Sequence, residues 1–367
     1  MSATNGRAFD RVVIIIFENE YRNYVRQNPY MRTLAARGIE MANYFGVMHP
    51  SNTNYVASIA GEICNSSEDP SFYTLMPAPP LPPPPTPLTQ RPFVDLIEGR
   101  GLSWNAYMDS YKPVEFPPQL TPVMSKTDPT KVDQPATVKH TILDYPPYLN
   151  MHNPFVRFQS IMENKDQWTR IKTANDFLRD ALNNALPEYS WFTPDIWDDG
   201  HWLFGTYTEP GERGPVLVNQ LSKWLESFFG ILSFPGPASR IPPGTLVVVT
   251  FDESDFNQSY ETIEGQGSDY DGPNQIYTVL LGDMIKPGIE QEGYNHYSLL
   301  KTIERNFGLG DLGKNDAGAN WFQFLWGERF HWNTPAATPV TAAGALAAEG
   351  FEDALYVVYG GAGGSLS

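Results

Sequence analysis

The chain has 367 residues, 41% of them hydrophobic and 18% charged, a mixture too apolar for a disordered chain and too even for a fibre. Its 25 Lys and Arg stand against 42 Asp and Glu, a net charge of -17. That balance argues against a sequence-independent nucleic-acid binder and against a polybasic membrane dock, since both need a basic face. A chain of this length buries roughly three quarters of its unfolded surface and needs no staple, and its single cysteine, Cys64, permits no intramolecular disulfide.

The first ten residues, MSATNGRAFD, lack a basic n-region followed by an apolar one. No stretch approaches the ~18 apolar residues of a membrane span. A trimmed signal peptide leaves the same pattern, so a cytoplasmic home and a processed secreted or periplasmic form both stay open.

Residues 11–17, RVVIIIF, are β-branched and apolar, and read as a buried strand that stops at Glu18-Asn19. A helix is expected around Tyr30–Arg37 with Gly38 as its C-cap. The run Asn43–Met48 reads as a second strand. After His49-Pro50 a helix covers Ser51–Ala60, with Ser51 a suitable N-cap. Residues 77–92 are proline-dominated and predict a polyproline II surface loop or lid, with a ligand for an SH3-type domain as the other reading. A helix (Phe93–Gly101) and a strand (Ser103–Met108) follow. Residues 112–150 have many prolines and little periodicity, the mark of an insertion.

The second half alternates. Residues 165–185 are helical by pattern, and Tyr189–Thr193 is a strand ending in Pro194-Asp195. Residues 215–232 form an amphipathic helix. Leu246–Phe251 is a strand that ends in Asp252-Glu253. Gln275–Leu281 is a further strand, and Ser298–Phe307 a helix. The Ala- and Gly-rich residues 336–367 wrap the surface. Strands alternating with helices predict a parallel sheet covered on both faces. In such a sheet ligands bind beyond the carboxyl ends of the strands, where Glu18, Asp195 and Asp252 fall.

Each of these positions has a bland and a sharp reading. Glu18-Asn19 offers a carboxylate and an amide oxygen, suited either to a divalent cation or to capping a helix. Ser51 is either a plain N-cap or a nucleophile at a helix N-terminus. No G-x-S-x-G elbow surrounds it, so its activator would differ from that of an α/β-hydrolase. Asp252-Glu253 is a solvated acidic turn or a pair of carboxylates held together by a cation. Among six histidines, His201 stands beside Asp198-Asp199-Gly200, His152 beside Asn153-Pro154, and His296 before the last helix; His140 and His331 have no such neighbours. Trp191, Trp197 and Trp202 flank the acidic loop, as core or as a pocket floor. Phosphate-binding G-x-x-x-x-G-K and paired C-x-x-C motifs do not occur.

In order, the chain carries E-N after the first strand, H-P-S-x-x-N-Y, H-N-P-F, D-D-G-H, F-D-E-S and N-H-Y-S-L-L-K-T-I-E. Over residues 11 to 312 this order resembles the phosphoesterase family of acid phosphatases and phosphatidylcholine-type phospholipases C, within the alkaline phosphatase superfamily. The resemblance implies a three-layer α/β/α domain with a mostly parallel central sheet over residues 1–335, with insertions near 66–92 and 112–150. It implies metal-dependent hydrolysis of phosphate esters through a phosphoseryl intermediate, with a phospholipase C acting on diesters, or a non-catalytic member of the fold, as the alternatives. The implied roles are Ser51 as nucleophile and metal ligand, Glu18, Asn19, Asp252 and Glu253 as the other ligands of a divalent cation (Zn, Ca, Mg or Mn), and Asn54 on a phosphoryl oxygen. His152 and His201, with Asp199, contact the phosphoryl group or protonate the leaving oxygen, and His296 serves the phosphoryl group or a second metal. The implied partner is a small phosphorylated substrate. The chain departs from the family at Thr53, often proline, and at Asp195 and Asp198, often asparagine. The sulfatase pattern of Cys or Ser followed by Pro and Arg is absent after Ser51.

Overall fold

The computed structural model describes residues 6–64, 87–118, 148–201, 213–254 and 274–327. In chain order the elements that matter are β1 (Arg11–Phe17), α1 (Arg22–Gln27), α2 (Pro29–Arg37), β2 (Ile39–Phe45), α3 (Ser51–Ala60), α4 (Val94–Gly99), β3 (Trp104–Met108), α5 (Gln159–Met162) and α6 (Lys165–Trp168). They continue with β4 (Ile171–Thr173), α7 (Ala174–Leu182), β5 (Tyr189–Thr193), α8 (Arg213–Ile231), β6 (Thr245–Phe251), β7 (Gln275–Ile276), β8 (Val279–Leu281), β9 (Gly288–Asn295), α9 (His296–Phe307) and α10 (Asn315–Gly318).

Among the described residues the strands form one sheet in the order β4-β3-β5-β1-β6-β8-β2-β7, with β9 beside β2. The run from β4 to β6 is parallel throughout. β8 and β7 are antiparallel to their neighbours, and β9 is parallel to β2. The centre is β1, which is apolar on both faces because both are covered. Strand β5 shows how the layers divide. Its Trp191 packs towards Tyr55 of α3 and Phe155, while Phe192, one residue on, packs against Phe177 of α7 and Trp224 and Phe228 of α8. Period-two alternation thus feeds two helical layers, one holding α3 and α9, the other α7 and α8. This is the α/β/α architecture expected from the alternation of elements.

Several local expectations shift. The second strand is Ile39–Phe45, so Met48 lies outside it. Gly38 follows α2 in an extended conformation, not a left-handed cap. A Cβ there would stand 2.3 Å from the Leu280 carbonyl, so glycine is needed for close approach to β8. Residues 165–185 are not one helix: the three-residue β4 interrupts them. Residues 275–281 split into β7 and β8. Most of the proline-rich run, residues 119–147 of the insertion, Trp202 and the Ala/Gly-rich C-terminal segment lie outside the described residues. No helix among the described residues is long and apolar enough to cross a membrane.

Candidate active site

Three parallel neighbours, β5, β1 and β6, end side by side, and the polar residues that follow them meet over α3. Glu18 and Asn19 leave β1. Asn19 takes a positive φ of 37°, a conformation asparagine tolerates better than most residues. Its backbone N–H donates to Asp252 Oδ1 at 2.9 Å, and the Glu253 N–H donates to the same oxygen at 2.7 Å. One carboxylate oxygen therefore organises the ends of both β1 and β6. The other, Asp252 Oδ2, is buried without a hydrogen bond and faces Glu18.

Ser51 is the first residue of α3, not its cap. The cap position is Pro50, which has no side-chain capping bond. The Ser51 hydroxyl instead points into the sheet end, 3.1 Å from Glu18 Oε2, 3.0 Å from Asn19 Oδ1 and 3.1 Å from Glu253 Oε1. A hydroxyl has one proton, so it can satisfy only one of those three acceptors. Four oxygens converge here, and the serine proton serves one of the other three at most.

That donor set is carboxylate, amide and hydroxyl oxygen, the chemistry of a hard divalent cation. Among the described residues no three of His, Cys, Asp and Glu gather into a cage of their own; here half of the converging oxygens belong to Asn and Ser.

The electrostatics agree. Burial alone would raise the Glu18 carboxyl, but His152 and His201 overcome it and bring it down to about 2. Burial, then Glu18, pushes Asp252 and Asp199 well above the carboxylate range. Burial also raises Glu253, opposed by His49. Glu18 raises the pKa of the three other carboxyls, a repulsion that a cation would offset.

The histidines take different stations. His201 Nδ1 lies 3.1 Å from both Glu18 Oε2 and Asn19 Nδ2, and its tautomer decides which of the two it bonds. Asp199, two residues before it, accepts from its backbone N–H at 2.8 Å and not from its ring. Between them Gly200 has φ +100°, and a Cβ there would strike Leu221 at 2.7 Å and approach the Glu18 carbonyl at 3.1 Å. His152 closes a 3₁₀ turn (Asn150–His152), with Nε2 3.2 Å from Glu18 Oε1 and Nδ1 3.7 Å from Asp199 Oδ2. Burial lowers its pKa, partly offset by Glu18. Its carbonyl accepts from Thr193 at the end of β5. The His201 side chain is 28% exposed and that of His152 only 5%.

Two residues expected to contact the substrate, Asn54 and His296, bond to the protein around the Asp252-Glu253 turn. Asn54 accepts from the Val47 and Met48 N–H groups and donates to the Met48 carbonyl and to Glu253 Oε2 at 3.0 Å. His296 is buried, its pKa pushed down to about 4 by burial, and its Nε2 donates to the Asp252 carbonyl at 2.6 Å. Both hold the Asp252-Glu253 turn. Of the three acids at strand ends, Asp195 stays apart: it accepts from Ser110 Oγ and the Trp197 N–H. Trp191 is core.

His49 is a site residue to which the sequence reading gives no role. Its Nδ1 lies 2.9 Å from Glu253 Oε2. Its place two residues before Ser51, in the same turn, is the signal that could have found it.

An acid phosphatase of Aspergillus fumigatus is 26% identical over 89% of this chain and 61% of its own length. A phosphatidylinositol-3-phosphatase of Mycobacterium tuberculosis is 24% identical over 85% of this chain and 82% of its own length. The chain spans between 61% and 65% of the length of the curated acid phosphatases it matches. A solved structure from work on glycosaminoglycan metabolism by Bacteroides thetaiotaomicron shares the fold, with a TM-score of 0.50 and 11% identity over 89% of this chain and 79% of that one. The phosphoesterase family model matches residues 20–310, across β2, α3, β5, β6 and α9, and the chain belongs to that family.

Proposed function

We propose that the chain hydrolyses phosphate monoesters through a phosphoseryl intermediate on Ser51. One observation carries the reading: a single serine hydroxyl at a helix start, ringed by three acceptor oxygens at 3.0–3.1 Å. A serine needs an activator, and carboxylates with a bound cation are one of the known routes. The family supports ester hydrolysis at phosphorus. The relatives named acid phosphatase and phosphatidylinositol-3-phosphatase favour a monoester over the diester of a phospholipase C.

Glu18, Asn19, Ser51, Asp252 and Glu253 are the residues that would hold a divalent cation, which when bound lowers the pKa of a coordinated hydroxyl and offsets phosphoryl charge. In the first half-reaction Ser51 Oγ loses its proton to a surrounding carboxylate and bonds to phosphorus, and the ester oxygen leaves. His201 is the better-placed proton donor to that oxygen, being open to solvent where His152 is buried. Water then attacks the phosphoserine and releases phosphate and the serine hydroxyl. Asn54 and His296 hold the Asp252-Glu253 turn in place through both steps.

The test is chemical trapping. Protein mixed with a 32P-labelled monoester and quenched in acid should carry label on the peptide containing Ser51, and Ser51→Ala should neither trap label nor turn over. Turnover by Ser51→Ala at near the parent rate refutes the assignment.

A further inference from the structure

Tyr55 lies one helical turn after Ser51, so the two share a face of α3. It is fully buried. Its ring stacks on the imidazole of His152, with centroids 5.5 Å apart and planes 21° apart. Behind it the column continues through Trp191 at 6.3 Å, Phe155 at 5.8 Å from Trp191, and Trp104 stacked on Phe155 at 5.2 Å. The aromatic core thus reaches up through the helix that carries the serine and ends against a histidine of the site.

The ring nitrogens of His152 face two carboxylates, Glu18 at 3.2 Å and Asp199 at 3.7 Å. Those contacts fix where the nitrogens point. They leave the ring free to tilt about the line between them, and the flat face of Tyr55 removes that tilt. The Tyr55 hydroxyl faces the Glu18 carboxylate, and burial followed by Glu18 raises its pKa. The stack on His152 is made by the ring face, and the hydroxyl is not part of it.

We propose that Tyr55 is a positioning residue: by stacking it sets the plane of His152, and with it the alignment of that imidazole to the phosphoryl group bound at Ser51. This rests on the assignment of Ser51 and His152 to one phosphoryl site. A misplacement of about 1 Å at a catalytic group can cost about 10²-fold in rate, and the stack is what prevents it.

The experiment is a mutant cycle read on kcat and KM with p-nitrophenyl phosphate, joined to NMR of the His152 ring. Tyr55→Phe keeps the ring and should stay within about threefold of the parent in kcat/KM. Tyr55→Leu keeps bulk without a ring face. It should lose roughly 10²-fold in kcat, with KM little changed, and the ring-current shift of the His152 protons should vanish. In the His152→Ala background, Tyr55→Leu should cost nothing further, because nothing is left to align. A general structural role predicts the opposite, an added loss in that background, and that result overturns the proposal. So does a large loss in Tyr55→Phe, which would move the role to the hydroxyl. Tyr55→Phe is close to isosteric, so it tests the idea even where Tyr55→Leu does not fold. A fully active His152→Ala also overturns it. Ser51→Ala separates the failures: if that variant is dead while the cycle is additive, the site assignment stands and the positioning role falls alone.

Discussion

Asp252 Oδ1 accepts the backbone N–H of Asn19 across 233 positions of sequence, and the same oxygen accepts the N–H of Glu253 next to it. The side chain expected to hold a cation is thus also the clamp that joins the ends of β1 and β6. The two roles separate by substitution. Asp252→Asn keeps an oxygen for both N–H groups and removes the negative charge. Asp252→Ala removes the acceptor and leaves two buried donors, each costing about 1–3 kcal/mol. Urea denaturation of the metal-free proteins should therefore rank Asp252→Asn near the parent and Asp252→Ala well below it, while both lose turnover. Equal destabilisation by the two would show that the clamp is not what the carboxylate supplies.

The cation itself is open to a test that does not depend on turnover. Protein stripped with EDTA should be inactive, and the effective cation should raise its thermal midpoint, because a ligand at 100 times its Kd stabilises the folded state by about 2.7 kcal/mol. Screening Zn, Ca, Mg and Mn identifies it. Glu18→Gln should reduce both the thermal shift and the metal content measured by elemental analysis, since a hard cation loses an anionic oxygen. A parent-like stoichiometry in Glu18→Gln contradicts the site.

The frame of this site was legible in sequence because apolar runs that stop at acids mark strand ends, and strand ends of a parallel sheet meet. Glu18 after β1 and Asp252-Glu253 after β6 follow from that rule alone, and Ser51 from its place before a helical run. The rule does not say which strands are neighbours. Asp195 satisfies it equally and sits elsewhere, held by Ser110 and Trp197. Nor does residue type reveal where a side chain spends its hydrogen bonds. Asn54 and His296, expected at the phosphoryl group, also bond to the protein, Asn54 to the 47–48 segment and His296 through Nε2 to the Asp252 carbonyl. The strand β9 escaped notice because it is largely exposed and reads Glu-Gln-Glu at its middle, without the apolar alternation of a half-buried strand.

Glu304 on α9 gives a pH-dependent prediction outside the site. It is fully buried, and burial followed by the neighbouring Asp316, which its carboxyl faces, raises its pKa to about 9. The folded state thus binds the proton more tightly than the unfolded one. Stability from this group is fully present below the unfolded value near 4.5 and is lost as pH rises through about 9. The loss is about 1.4 kcal/mol per pH unit between those limits. Glu304→Gln mimics the protonated form and cannot ionise. Chemical denaturation at pH 5 should find the variant and parent similar, and at pH 8 the variant should be more stable by a few kcal/mol. A parent whose advantage grows with pH would contradict the assignment.

The identity of the acid that protonates the leaving oxygen is decided by geometry that two histidines share unequally. His201 and His152 both face Glu18, at 3.1 and 3.2 Å, but His201 is held to the backbone of its loop by Asp199 and opens to solvent, while His152 is enclosed and its pKa is lowered by burial. A group that gives a proton to a departing oxygen matters most where that oxygen leaves badly. An aryl oxygen such as p-nitrophenolate departs without help; an alkyl oxygen does not. General acid catalysis is typically worth 10²–10⁴-fold, so His201→Ala should lose at least about tenfold more on an alkyl phosphate than on p-nitrophenyl phosphate. Stopped assays of phosphate release on the two esters measure the ratio directly. An equal loss on both would mean that His201 orients Glu18 or the phosphoryl group and donates no proton, and the same pair of assays on His152→Ala would then have to show the asymmetry. If His152→Ala is also symmetrical, neither imidazole is the acid, and His49, partly exposed beside Glu253 where His296 is buried, is the next histidine to carry the substitution.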